Sequence, residues 1–269
     1  MTLLTLAGGA YGLFWLAESH PELREKAEEL ISYGSFHTLE IRHTASQLMD
    51  SHRKELLKDS RYKYLEPSLK FYPYLLLEVK YALKENKTQE GMMLWDLTDG
   101  EMVIDTKNWE MTHGFSDCIN ASAQPHEFKV LNVLAHAGGS ANRESLLREL
   151  RVDSKTLDAW VENCKRKKLI VQTGSKYRLH LQNPKLQTEP VTRIHEPLVT
   201  KSFKQATRMP HNFSLRQIEK ISSSAFGNEF VVRKTLDVYL PVHSIVVQNP
   251  DGSIHTTLWN ALNGKRIHP

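Results

Sequence analysis

The chain has 269 residues, 40% of them apolar and 25% charged, with a formal net charge of +4. Those values exclude a disordered chain and leave material for a sizeable core, shared among one to three domains. The two cysteines, Cys118 and Cys164, form no Cys-x-x-Cys pair, and no His/Cys cluster has zinc spacing, which excludes a disulfide framework and suits a reducing compartment.

Met1 to Ala17 carries no charged side chain, and the first charge is Glu18. A spanning helix needs about 20 apolar residues, with ~17 as the lower limit. No Lys or Arg precedes the run, as a signal peptide requires, and the Glu18–Glu29 flank is mixed in charge. Three readings stay open for residues 1–17: a short membrane anchor, an apolar helix docked on the body or on a partner, and a signal peptide.

Pro21 to Ser32 is rich in helix formers and is predicted helical, with Pro21 at the first helical position and Gly34 as the stop. Phe36 to Lys58 is a second helix candidate. The dense apolar segment from Leu69 to Leu83 reads as a buried helix starting near Pro73. Met92 to Asp105 alternates around Thr98-Asp99-Gly100 and predicts a hairpin. Asn108 to Ile119 is a short helix candidate, followed by a small-residue linker over 120–124.

Phe128, Val130, Leu131, Val133 and Leu134 lie at helical spacing, and Gly138-Gly139 stops that helix. Asn142 caps a second helix to Leu150, and Ser154 caps a third to about Lys168 with Leu157, Val161 and Cys164 inward. Leu169 to Val171, a tight Gln172–Ser175 turn and Lys176 to Leu181 predict a β-hairpin. Three helices and a hairpin in this order, with the Lys167-Lys168-Leu169-Ile170 step between them, resemble the winged-helix superfamily over residues 126–183. In DNA-binding members the third helix enters the major groove and the wing meets the backbone. The resemblance therefore implies Ser154, Lys155, Asn163, Arg166, Lys167, Lys176 and Arg178 as nucleic-acid contacts. Lys155, Arg166, Lys167, Lys176 and Arg178 would meet phosphates, and Asn163 or Arg166 would read a base edge.

Charge supports this. Between Glu127 and Asn183 eleven Lys or Arg face six Asp or Glu, a local surplus of five, so the rest of the chain sums to about −1. Against it, Asp158 and Glu162 sit on the outward face of the third helix, where carboxylates repel phosphate. That mixed face equally suits a protein partner.

Residues 182–198 form a proline-containing linker. Ser214 caps a helix to Ala225. Segments 230–232, 236–240 and 243–247 are strand-like, Asn249–Gly252 is a turn, and Ile254 to Trp259 is a returning strand. The run from Tyr239 to Gly264 resembles small β-modules appended to bacterial ATPases and membrane-associated proteins, without a residue to carry over. No internal repeat or low-complexity tract is evident.

No phosphate-binding loop, dinucleotide fingerprint, metalloprotease helix or nucleophile elbow occurs. His37, His43 and His52 have spacings that keep them off one helix face. Asp96, Asp99, Glu101 and Asp105 surround the first hairpin and read as turn chemistry rather than a cation site. The expectation is an α+β protein with four parts: the apolar segment 1–17, a mainly helical region 18–120, a central winged helix-turn-helix domain over 126–183, and a small C-terminal β-rich module over 198–269. No cofactor, metal, catalytic residue or small-molecule substrate is implied. The expected function is a non-enzymatic, DNA-binding regulatory protein in the cytoplasm, tethered to the inner membrane by its first segment. The alternative is an adaptor whose winged helix docks a protein at the membrane.

Overall fold

The computed structural model describes residues 35–82, 87–181, 184–186, 189–195, 198–202, 207–227 and 229–267. The uncharged run 1–17 and the helix expected over Pro21–Ser32 lie outside the described residues.

Chain order begins with strand β1 (Ser35–Leu39), helices α1 (Ala45–Ser51) and α2 (Arg53–Leu56), and the short strand β2 (Lys63–Tyr64). The helix expected from Phe36 therefore begins only after Thr44, whose side chain accepts from the Gln47 amide in a capping box. Next comes β3 (Ser68–Ala82), a strand of 15 residues where a buried helix was expected. Its middle, around Tyr74–Leu77, is covered on both faces. Leu75, Leu77, Val79 and Tyr81 enter one apolar core, and Tyr74 and Leu76 enter another. A strand buried on both sides loses the alternation that would reveal it and reads as a continuous apolar run.

β4 (Thr88–Asp96) and β5 (Met102–Asp105) form the expected hairpin, with Leu94 opposite Val103 and Trp95 opposite Met102. Gly100 supplies the positive φ of its turn. β6 (Glu110–Met111) and α3 (Phe115–Asn120) then lead to the helical unit. That unit comprises α4 (Pro125–His136), β7 (Ser140–Asn142), α5 (Arg143–Leu150), α6 (Ser154–Arg166) and the hairpin β8 (Ile170–Thr173) and β9 (Lys176–Leu179). β9 lies between β7 and β8 in a small antiparallel sheet.

The chain returns through β10 (Leu198–Ser202), β11 (Thr207–Arg208) and α7 (Leu215–Phe226), which carries a Ser214–Gln217 capping box. β12 (Val231–Gln248) is one strand of 18 residues, where three short strands were expected. Its charged residues Arg233, Lys234 and Asp237 point to solvent, and Pro241 interrupts the pattern without ending the strand. β13 (Ile254–Asn260) and β14 (Arg266–Ile267) finish the described chain.

The larger sheet has 11 strands, with the path β10-β1-β12-β3-β4-β5-β6. β12 and β3 pair antiparallel at its centre, from Val231 opposite Lys80 to Pro241 opposite Phe71. This overturns the expected fold class. Residues 35–111 are mostly strands rather than a helical region, and the C-terminal residues supply a central strand of the same sheet rather than a small module. The helices and hairpin of 125–179 lie where their spacing predicts, but they do not form a self-contained winged-helix domain. Leu131, Leu134, Leu157 and Cys164 belong to the same buried cluster as Leu75, Leu77, Trp95, Ile218 and Phe230.

Leu77 is fully buried between the central pair and the helices. Leu77→Ala should lower the unfolding free energy by about 2–5 kcal/mol, measured by urea denaturation, because the close-packed sheet cannot collapse around the lost volume.

Candidate nucleic-acid interface

The basic surface is built on α4–α6 and β7–β9. Each helix start is fixed locally. Gln124 and Glu127 form a capping box at α4, and Asn142 accepts from the Ser145 amide at α5. Asp153, not the expected Ser154, caps α6, accepting from the Thr156 amide at 3.0 Å and its hydroxyl at 2.6 Å. Leu157, Val161 and Cys164 turn inward. Ser154, Lys155, Asp158, Ala159, Glu162 and Arg166 are left on the outer face.

The two acids on that face are not free. Asp158 accepts both Nε and Nη2 of Arg143, each at 2.9 Å. That two-pronged bond holds the Asp158 carboxyl below the usual carboxylate range. Glu162 accepts from Lys165 at 3.1 Å, one helical turn away.

The seven expected contact residues separate into two groups. Lys155, Lys176 and Arg178 are exposed and, among the described residues, have no acidic partner within salt-bridge distance, and Ser154 is exposed beside Lys155. Lys176 and Arg178 flank half-buried Tyr177 on β9, so they project from the sheet face away from the core. Arg166 donates to the Asn163 side chain at 3.0 Å, which leaves Arg166 exposed but occupies Asn163 locally. Lys167 is drawn inward. Its ammonium donates to buried Glu127 at 2.7 Å and to the Ser122 carbonyl at 2.9 Å. The same Glu127 carboxylate accepts the Gln124 amide at 2.8 Å. Lys167 is therefore a structural cation.

Arg151 and Lys168 are exposed cations that the expected set did not include. Both adopt left-handed backbone conformations just past helix ends. Arg143 was also missed as the partner of Asp158, because its partner stands fifteen residues on and spacing alone gives no signal.

Asp96, Asp99, Glu101 and Asp105 do not converge on a cation. Asp96 accepts the amides of Thr98 and Asp99 within its own turn. Glu101 is buried and accepts Thr112 Oγ1 at 2.7 Å and the amides of Gly114, Phe115 and Ser116, thereby tying the hairpin to the start of α3. Asp105 accepts the amides of Lys107 and Asn108 and pairs with Arg193 at 3.0 Å. Among the described residues no cluster of His, Cys, Asp and Glu could hold a metal ion. Both thiols are buried. Burial pushes Cys164 up to about 12 and Cys118 higher still, so neither is poised as a nucleophile.

No helix among the described residues is long and apolar enough to cross a membrane. Comparison with known proteins finds no matching family model, no matching curated protein and no matching solved structure.

Lys167→Met strips a buried carboxylate of its cation and should cost about 2–4 kcal/mol of stability in thermal or urea unfolding. Burial raises the Asp96 carboxyl from 3.8 to about 6, although the Tyr74 hydroxyl and two amides favour its charged form. A carboxyl raised in the folded state adds stability that is fully present below pH ~4 and is lost as pH rises through about 6. Asp96→Asn should flatten the stability profile across that window, as followed by urea midpoints between pH 4 and pH 7.

Proposed function

We propose that the chain is a non-enzymatic, DNA-associated regulatory protein that holds the phosphate backbone of duplex DNA on the outer surface of α6 and β9. One observation carries this reading. The acids of the α6 face are consumed by internal partners, while Arg151, Lys155, Arg166, Lys168, Lys176 and Arg178 are exposed without an acidic partner among the described residues. A local surplus of charge thus becomes a surface of unmatched cations, which releases counterions when it meets a polyanion. Lys155 and Arg166 lie eleven residues apart, three helical turns, and so share one stripe of α6. This arrangement favours backbone contact over base reading, since Asn163 is engaged by Arg166. The uncharged run 1–17 would tether the protein to the inner membrane from its cytoplasmic side.

A protein partner is the second reading. The exposed pair of Arg143 on α5 with Asp158 on α6, and Glu162 beside it, place both signs on one surface, which suits an oppositely patterned protein surface.

The full chain should bind a mixed-sequence duplex at low salt and weaken steeply as salt rises, measured by fluorescence anisotropy. Lys176→Glu with Arg178→Glu should reduce affinity at least about tenfold and lower the salt slope by about two, while Arg148→Glu, which already pairs with Glu149, should change little. Folded protein that does not bind at low salt would overturn the DNA reading and leave the protein partner.

A further inference from the structure

The two ends of the described chain share one architecture, although no repeat is evident in the sequence. The hairpins are the first sign. In β3–β4, Leu75 stands opposite Trp95, and in β12–β13, His243 stands opposite Trp259. Past each tryptophan the same turn follows. The Asp96 amide donates to the Glu101 carbonyl and the Gly100 amide to the Asp96 carbonyl. The Asn260 amide donates to the Lys265 carbonyl and the Gly264 amide to the Asn260 carbonyl. The side chains of Asp96 and Asn260 each accept the amide two residues on, and Gly100 and Gly264 have φ of 74° and 72°. Both turns lead into a short strand in the same register, Trp95 with Met102 and Trp259 with Arg266. The Leu97 amide donates to the Pro73 carbonyl, and the Ala261 amide donates to the Pro241 carbonyl.

What covers these turns is exchanged between the halves. The carbonyl of Leu97 accepts the amides of Asn212 and Phe213, from the second half. The carbonyl of Ala261 accepts the amides of Arg42 and His43, from the first. The Phe213 ring lies over Gly100 and the His43 ring over Gly264. Each ring residue is followed by a capping box, Thr44–Gln47 at α1 and Ser214–Gln217 at α7. Each is preceded by a strand that adds in parallel to the other half's long strand, β1 to β12 and β11 to β3.

The central pairing has the same symmetry. Pro73 faces Tyr239 and Phe71 faces Pro241, so these pairs interconvert when the halves are swapped, with Tyr72 opposite Leu240 on the axis. Farther out, Val247 facing Tyr64 is matched by Val79 facing Val232, and Gln248 facing Lys63 by Lys80 facing Val231. The spans between differ, since β12 continues through Lys234–Val238 where the chain between β2 and β3 leaves the strand.

We propose that residues 37–103 and 207–267 are two copies of one folding unit that exchange their N-terminal strand-and-cap segments about a pseudo-twofold axis through the Tyr72–Leu240 pair. The helical unit with its basic surface is inserted between the hairpin of the first copy and the start of the second. The copies have diverged at the turns. Asp96, Asp99 and Glu101 of the first correspond to Asn260, Asn263 and Lys265 of the second, and only the first turn uses its final acid to anchor a helix. The buried Trp259 indole donates to Thr257, whereas Trp95 has Met93 at that place and its indole nitrogen has no hydrogen-bond partner among the described residues.

The test uses the full chain and double-mutant cycles in thermal unfolding. Gly100→Ala and Gly264→Ala each introduce a methyl at positive φ against a ring, and each should lower Tm by at least about 2–4 °C. Phe213→Ala should absorb part of the loss from Gly100→Ala and none of the loss from Gly264→Ala, and His43→Ala should do the reverse. Phe213→Leu replaces the alanine variant if that chain does not fold. Asp96→Asn, which places the second copy's residue in the first turn, should leave Tm at pH 7 unchanged or raised. The proposal is overturned if Gly100 couples to His43, if either glycine accepts alanine without loss, or if Asp96→Asn abolishes cooperative unfolding.

Discussion

The antiparallel pairing of β3 with β12 is the constraint on which the rest of the molecule depends. It joins residues more than 150 positions apart, from Lys80–Val231 to Phe71–Pro241. Every other large element attaches to one of these two strands or to a neighbour that they hold. β4 and β13 extend the sheet outward from them, and β1 and β11 add in parallel. Such distant pairing carries a high loop-closure cost, which the apolar faces of the two strands offset by burial on both sides of the sheet.

The helical unit is held to this frame at both of its chain crossings. On the way out, the buried Glu101 carboxylate gathers the backbone amides that open α3. On the way back, Thr192 bonds to Leu94 and Val103 across the β4–β5 hairpin, and Arg193 pairs with Asp105. Phe115 joins the two parts, with its ring against Trp95 and Phe128. The basic surface is thus carried on a support continuous with the sheet core. Its electrostatics depend on pairing rather than on composition. Arg143 and Lys165 neutralise the two acids of α6, Glu127 withdraws Lys167, and the remaining cations face solvent.

Elements with local signals were legible in the sequence. The Asp99-Gly100 turn, the Ser214 cap, the three helices before the small hairpin and the Asn249–Gly252 turn each announce themselves within a few residues. β3 was not legible, because burial on both faces makes Leu75–Leu77 resemble a helix interior. β12 was not legible as one strand, because Arg233, Lys234, Asp237 and Pro241 break its apolar pattern. At the candidate site, Lys155, Lys176 and Arg178 were named from the resemblance to a winged helix, and the structure leaves them exposed. Asn163, Lys167 and Asp158 were misjudged because their roles are set by partners: Arg166 for Asn163, Glu127 for Lys167 and Arg143 for Asp158. The duplication was hidden because identity survives at few positions, among them Gln47 and Gln217, Pro73 and Pro241, Trp95 and Trp259, and Gly100 and Gly264. The offset between the copies also shifts from segment to segment.

Native-state hydrogen exchange, followed residue by residue in the full chain, tests the central pairing most directly. If β3 and β12 form one spine, the amides of 75–79 and 235–240 share the highest opening free energy in the molecule and respond together to denaturant. Opening of 231–260 as a separate, less stable unit while β3 stays protected would contradict the account and restore an independent C-terminal module.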